Sequence, residues 1–199
     1  MKPGRVLFTD VSCLPKLLTV FLLVLSPHVN AQQVAVKTNL LNWTTTTFNV
    51  GMEAAISRKN TVQLFYGLNP WKFEGEKKIR HWVLQPEFRF WTCESFNGWF
   101  YGIHFMGGEF NVGEVKLPLG IFPELEHSRY EGWFAGGGLT GGYQWVLSRH
   151  WNIEASVGIG YNFIDYDKFR CTYCGELLKS GKKHYFGPTK AAISILYLF

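Results

Sequence analysis

"IEASVGIGYNF", Ile153 to Phe163, separates into two rows when alternate residues are taken together. One row reads Ile153, Ala155, Val157, Ile159, Tyr161, Phe163; the other reads Glu154, Ser156, Gly158, Gly160, Asn162. Successive side chains of a strand point to opposite faces. The stretch therefore predicts a strand with one apolar face and one face of charged, polar and small residues.

The same division recurs along the chain. "TFNVGMEAAI" sets Phe48, Val50, Met52, Ala54 and Ile56 against Asn49, Gly51, Glu53 and Ala55. "TVQLFYGL" sets Val62, Leu64, Tyr66 and Leu68 against Gln63, Phe65 and Gly67, and "WVLQPEFRF" sets Trp82, Leu84, Phe88 and Phe90 against Val83, Gln85, Glu87 and Arg89. "WFYGIHFMG" and "WFAGGGLTGGYQW" follow, with Trp99, Tyr101, Ile103 and Phe105 on one apolar face and Trp133, Leu139, Tyr143 and Trp145 on the other's. "VAVKTNLLNW" at the start and "TKAAISILYLF" at the end bring the strands to eight. No segment after residue 31 shows sustained helical periodicity or about 18 consecutive apolar residues, so helical membrane spans are not expected.

The connections alternate in length. "SRKN" (57–60), "TCESFNG" (92–98) and "SRH" (148–150) are short, whereas 69–78, 113–132 and 167–185 are long. Only the first, near Trp43 to Thr47, is brief where length is expected. Short turns at one end, long loops at the other and an even strand number predict an all-β fold, an eight-stranded antiparallel transmembrane β-barrel. In lipid every backbone N–H and C=O needs a partner within the protein, and a closed sheet has no edge. Aromatic content of 17% then has a place. Trp99, Trp145, Trp151, Tyr197 and Phe199 fall at the short-turn ends, and Trp43, Trp71, Trp82, Trp133 and Tyr166 toward the long loops, as two interfacial belts.

An eight-stranded barrel is just wide enough for side chains to fill it. By parity Lys37, Arg89 and Lys190 point inward with Glu53, Glu87 and Glu154, which predicts a neutralised interior ion network and no open pore, since an unpaired buried charge is costly. His104 should also point inward as a hydrogen-bonded filler. Pro86 lacks a backbone donor in mid-strand and predicts a bulge there.

Both ends carry further expectations. Lys2, Arg5 and Lys16 precede the apolar run "LLTVFLLVL" (17–25), and "VNA" ends at Ala31, the pattern of a secretory signal over residues 1–31; residues 32–199 would form the barrel. Without Lys2, Arg5, Lys16 and Asp10 the formal charge falls from +5 to +3, too mild a bias to argue for nucleic acid. At the other end, Ile193, Ile195, Tyr197 and Phe199 alternate up to an aromatic terminus, which reads as the strand that the barrel-assembly machinery recognises and as the strand that closes the sheet, with Phe199 as the assembly signal.

Sites for chemistry are sparse. Cys171 and Cys174 in "CTYCG" would be either a local loop disulfide in an oxidising compartment or a pair of free thiols. A zinc site needs four ligands, and Cys93 lies in a turn at the opposite end, roughly 25 Å away, so no metal and no cofactor is expected. The last long loop is basic, with Lys179, Lys182 and Lys183, and would meet lipopolysaccharide phosphates or simply remain solvated; the preceding loop is acidic. Two other readings are an outer-membrane enzyme acting on lipid A, with His127, Ser128 and Glu126 as its triad, and a secreted lipocalin-like carrier. Neighbours in sequence rarely meet in triad geometry, and a lipocalin turns its apolar face inward.

At "VKTNLLNW", at "NPW" (69–71) and at "CTYCG…HYFGPTKAAISILYLF", the chain resembles an uncharacterised outer-membrane β-barrel family of Gram-negative bacteria, of the domain-of-unknown-function 3575 type. The resemblance implies location in the outer membrane and the barrel fold, supplies no catalytic residues, and suggests a structural or surface-interaction role through long extracellular loops, linked to fimbrial or other surface assembly. Expected partners are outer-membrane lipid and lipopolysaccharide, the barrel-assembly machinery and a surface or fimbrial protein.

Overall fold

In the computed structural model, residues 33–71, 78–113, 128–170 and 176–199 are described. Eight antiparallel strands close into a barrel in chain order: β1 (Val34–Asn39), β2 (Phe48–Ser57), β3 (Asn60–Asn69), β4 (Lys78–Trp91), β5 (Gly98–Gly113), β6 (Arg129–Val146), β7 (Trp151–Phe169) and β8 (Leu177–Leu198). The seam pairs β1 with β8 from Ala35 opposite Leu198 to Asn39 opposite Ser194, and Phe199 N–H donates to Val34 C=O at 2.9 Å. The terminal strand is thus the closing one, as its alternation predicts. The signal segment expected over 1–31 lies outside the described residues.

The division of faces follows the sequence rows closely. Along β7, Asn152, Glu154 and Ser156 are buried, while Val157 and Ile159 are exposed. On β5, Trp99, Tyr101, Ile103 and Phe105 point out, while Phe100 and His104 are buried. The core is therefore the lumen, and it is mostly polar. At the short-turn end it turns apolar: Ala35, Trp91, Phe96, Phe100 and Leu196 form one buried cluster across the barrel mouth. Phe96 comes from the turn between β4 and β5, in a left-handed backbone conformation (φ 66°) that costs a non-glycine residue on the order of 1–3 kcal/mol. Burial of its ring and a bond from Asn152 Nδ2 to its carbonyl at 3.0 Å offset that strain.

The wall is uneven. β1 has 6 residues and β2 and β3 have 10 each, whereas β6, β7 and β8 have 18, 19 and 22. β6 to β8 are thus about twice as long as β2 and β3. At about 3.3 Å per residue β8 is roughly 70 Å long.

Four expectations need correction. The run "LLNW" is a helical turn, α1 (Leu40–Trp43), and not strand, because the Asn39 side chain caps it, accepting from Leu41 N–H at 3.1 Å. Lys179, Lys182 and Lys183 lie on β8, opposite Lys168, Asp165 and Ile164, and not in a loop. Tyr166 stacks at a tilt on buried Tyr130 instead of joining an outer belt. Pro86 makes no bulge: it pairs with Leu64 in register, and toward β5 the ladder omits the rungs between Leu84–Gly107 and Glu87–His104 without a shift. A bulge lies beside Pro188 instead, where Gly158 pairs with Lys190 and Ile159 with Pro188, leaving Thr189 as the extra residue.

Candidate functional site

Five strands deliver six charged side chains to mid-lumen: Lys37 from β1, Glu53 from β2, Glu87 and Arg89 from β4, Glu154 from β7 and Lys190 from β8. The structure brings all six together. Arg89 is the hub: its Nη1 lies 2.7 Å from Glu154 Oε2 and 3.0 Å from Glu53 Oε2, and its Nε lies 2.9 Å from Glu87 Oε1. Arg89 Nη2 adds a second bond to Glu154 Oε1 at 3.0 Å, so that pair is bidentate. Lys37 Nζ bridges Glu53 at 2.6 Å and Glu154 at 3.0 Å, and Lys190 Nζ pairs with Glu87 Oε2.

Three cations thus face three carboxylates. All six are buried to the extent that the most open side chain, Lys190, retains 8% exposure. Breaking such a set by deleting one partner is destabilising because a charge remains without its counterpart in a medium of low dielectric. Glycines make the room. A Cβ on Gly51 would come within 2.9 Å of Lys37 Cγ, and one on Gly102 within 2.7 Å of Phe88 C=O and 3.2 Å of Glu87 Oε1.

The network joins the apolar cap through neutral groups that parity alone did not single out. Thr61 Oγ1 donates to Glu53 Oε1 at 2.5 Å and accepts from Trp91 Nε1 at 3.0 Å. The Arg89 guanidinium sits 4.3 Å above the Phe100 ring, a cation–π contact that holds the hub against the cap. On the other side, His104 is saturated by two hydroxyls, Thr140 at 2.8 Å from Nδ1 and Thr189 at 2.9 Å from Nε2. Thr189 reaches the lumen because the bulge turns it inward beside Lys190. His104 is the hydrogen-bonded filler expected of it.

The remaining sequence candidates are not part of this cluster. Phe199 is exposed and packs edge-on against Tyr197. Cys93 is an exposed free thiol. Cys171 and Cys174 lie outside the described residues, as do His127 and Glu126. Lys179 and Lys182 are exposed on the tall part of β8.

The fold and the site together define a class: a closed eight-stranded antiparallel barrel with an apolar outer face and an ion-paired, capped lumen. Within that class the chain belongs to the family described as protein of unknown function (DUF3575), which matches residues 17–199. No curated protein matches the chain.

Proposed function

We propose that this protein is an integral outer-membrane barrel of a Gram-negative bacterium, with a lumen held shut, that acts structurally or through its long-loop end in surface interactions such as fimbrial or other surface assembly. The observation that carries this reading is the outer face. Phe48, Val50 and Met52 on β2, Tyr101, Ile103 and Phe105 on β5, and Val157 and Ile159 on β7 are all exposed, in a band around a lumen that holds the charges. A soluble carrier would show the reverse distribution, and an apolar belt of this extent has no place in water. Trp99, Trp145 and Trp151 at one rim of the band and Trp43, Trp71, Trp82 and Trp133 at the other are exposed as well, which suits two interfacial girdles.

In this reading outer-membrane lipid and lipopolysaccharide surround the wall, with Lys179 and Lys182 available to phosphates where β8 rises above it. The terminal strand ending in Phe199 is what the barrel-assembly machinery receives, and the surface partner meets the tall side formed by β6 to β8. No catalytic role is assigned. The test is electrophoresis of an outer-membrane fraction with and without boiling. A folded barrel should resist SDS and change mobility on heating; a soluble protein with unchanged mobility would overturn the proposal.

A further inference from the structure

The tall part of the wall ends in a long strand edge. β1 reaches β8 only from Leu198 to Ser194, whereas β7 pairs with β8 as far as Leu177. From Leu177 to Pro188, β8 therefore has a neighbouring strand on one side alone among the described residues. The seam ends on a side chain: Asn39 Oδ1 accepts from Ile193 N–H at 3.1 Å and Asn39 Nδ2 donates to Ala191 C=O at 3.2 Å, in place of the backbone that β1 no longer supplies. Pro188 follows along the edge with no N–H to leave unpaired, and its C=O accepts from the Tyr185 hydroxyl at 3.2 Å.

The ladder fixes which groups face that edge. The carbonyls of Tyr161 and Asp165 turn toward β6, where a Cβ on Gly136 or Gly132 would collide with them. Phe186 and Lys182 stand opposite these two residues, so their own N–H and C=O turn away from β7. By the alternation of an antiparallel ladder, Ser180, Lys182, His184 and Phe186 all present N–H and C=O to the open edge. The four are exposed, and no described backbone group pairs with them there. Such an edge is a template for a further strand.

Charge narrows the occupant. Between Leu177 and Pro188 stand Lys179, Lys182 and Lys183 and no carboxylate. A second copy of β8 would lay lysine against lysine in registers centred on Gly181, Lys182 or Lys183, and like charges directly opposite are destabilising. A two-fold pairing of β8 with itself also runs antiparallel and turns the two barrels in opposite directions, which one membrane does not permit.

We propose that the β8 edge from Ser180 to Phe186 takes an extended acidic segment of a partner protein as an added strand, held by main-chain hydrogen bonds and by carboxylates beside Lys182. The proposal rests on the surface-interaction reading above and supplies its mode of contact.

The experiment is residue-resolved amide hydrogen exchange, by NMR, of the barrel folded in detergent micelles. The probe is a capped peptide of about ten alternating Val and Glu residues, and its Val and Lys counterpart is the comparison. Without peptide, the amides of Gly181, Lys183 and Tyr185, which turn toward β7, should exchange slowly, and those of Ser180, Lys182, His184 and Phe186 fast. The Glu peptide should slow these four by about tenfold or more, saturably, and the Lys peptide should leave them unchanged. Lys182→Thr keeps the N–H and loses the charge, so it should weaken peptide binding about threefold. Lys182→Pro also removes the N–H, on the side where β7 loses nothing, and should abolish binding. Both variants are first checked for the mobility shift on boiling. Slow exchange of the four amides in the barrel alone, no response to the Glu peptide, equal protection by the Lys peptide, or full binding by Lys182→Pro would each overturn the proposal. A barrel that shifts on boiling and takes no peptide overturns strand addition alone and leaves the membrane assignment standing.

Discussion

The two halves of the lumen are filled on opposite principles. Toward the short turns, Arg89 meets three carboxylates, Lys37 and Lys190 complete the set, and Trp91, Phe96 and Phe100 close over it. Toward the long loops, the uncharged Gln63 and Gln85 stand beside a cavity of about 170 Å³, and one amide atom of each is buried without a protein partner. Both halves are polar and both are lined by inward-facing strand residues. They differ in charge: toward the short turns every charged group has its counter-ion, although Gln144 and Asn152 there keep amide atoms without a protein partner, as Gln63 and Gln85 do beside the cavity. The difference separates residues whose loss strands a buried charge from residues whose loss strands none, and substitutions at the two should behave accordingly.

The largest effect is expected at the hub. Arg89→Met leaves Glu53, Glu87 and Glu154 short of their shared cation and should lower stability by about 3–5 kcal/mol, read as the denaturant midpoint of the barrel in micelles. Adding Glu154→Gln to Arg89→Met removes one of the orphaned charges and should recover part of the loss. If Arg89→Met unfolds within about 1 kcal/mol of the parent, the network is not what holds this half together, and the contrast between the halves is lost.

Next is the cap. Phe96→Ala removes a ring that is 2% exposed from a site bounded by Trp91 and Arg89's partner Phe100, and truncation of a buried Phe typically costs about 3–5 kcal/mol. Here the expected loss lies at the low end, about 3 kcal/mol, because the barrel mouth opens to solvent and the site can fill with water. Phe96→Gly relieves the left-handed backbone strain and should unfold later than Phe96→Ala by a few tenths of a kcal/mol, with urea titration distinguishing the two. An Ala variant as stable as the parent would mean that the cap merely occupies the mouth.

How far the sequence revealed all this depended on what each face touches. Where one face is the apolar outside of the barrel and the other lines the lumen, alternation is strong, and the rows of Ile153 to Phe163 give strand, facing and charge inventory together. The six charged residues follow from parity alone. Where β8 rises beyond the low wall, neither face needs to be apolar, so "KSGKKH" (179–184) loses the alternation and reads as loop although it is paired strand. Thr189 was hidden for a different reason: a bulge changes the parity locally, and the proline that signalled one was Pro188, not Pro86. Tyr166 was misread because an aromatic near a strand end fits a belt equally well as an interior contact with Tyr130. The cap was invisible because Phe96 lies in a turn, where no periodicity tells which way a side chain points.

The smallest effect, and the sharpest test of the contrast, is at Gln85. At Arg89 an apolar replacement leaves three carboxylates stranded; at Gln85, Nε2 has no partner to strand. Gln85→Leu keeps the volume, removes the unmatched donor and adds apolar surface beside Phe65 and Val83. Replacing an unsatisfied buried polar group by an apolar one of similar shape is neutral or stabilising, so the denaturant midpoint should stay within about 0.5 kcal/mol of the parent or rise. Arg89→Met and Gln85→Leu are both polar-to-apolar changes on the inward face of β4, four residues apart, so strand position and facing are held nearly constant between them. A loss of about 2 kcal/mol or more at Gln85 would mean that its amide carries structure through a bond comparable to those at Arg89. The cavity side of the lumen would then be held by bonds like those of the ion-paired side, and the contrast between Arg89 and Gln85 would be lost.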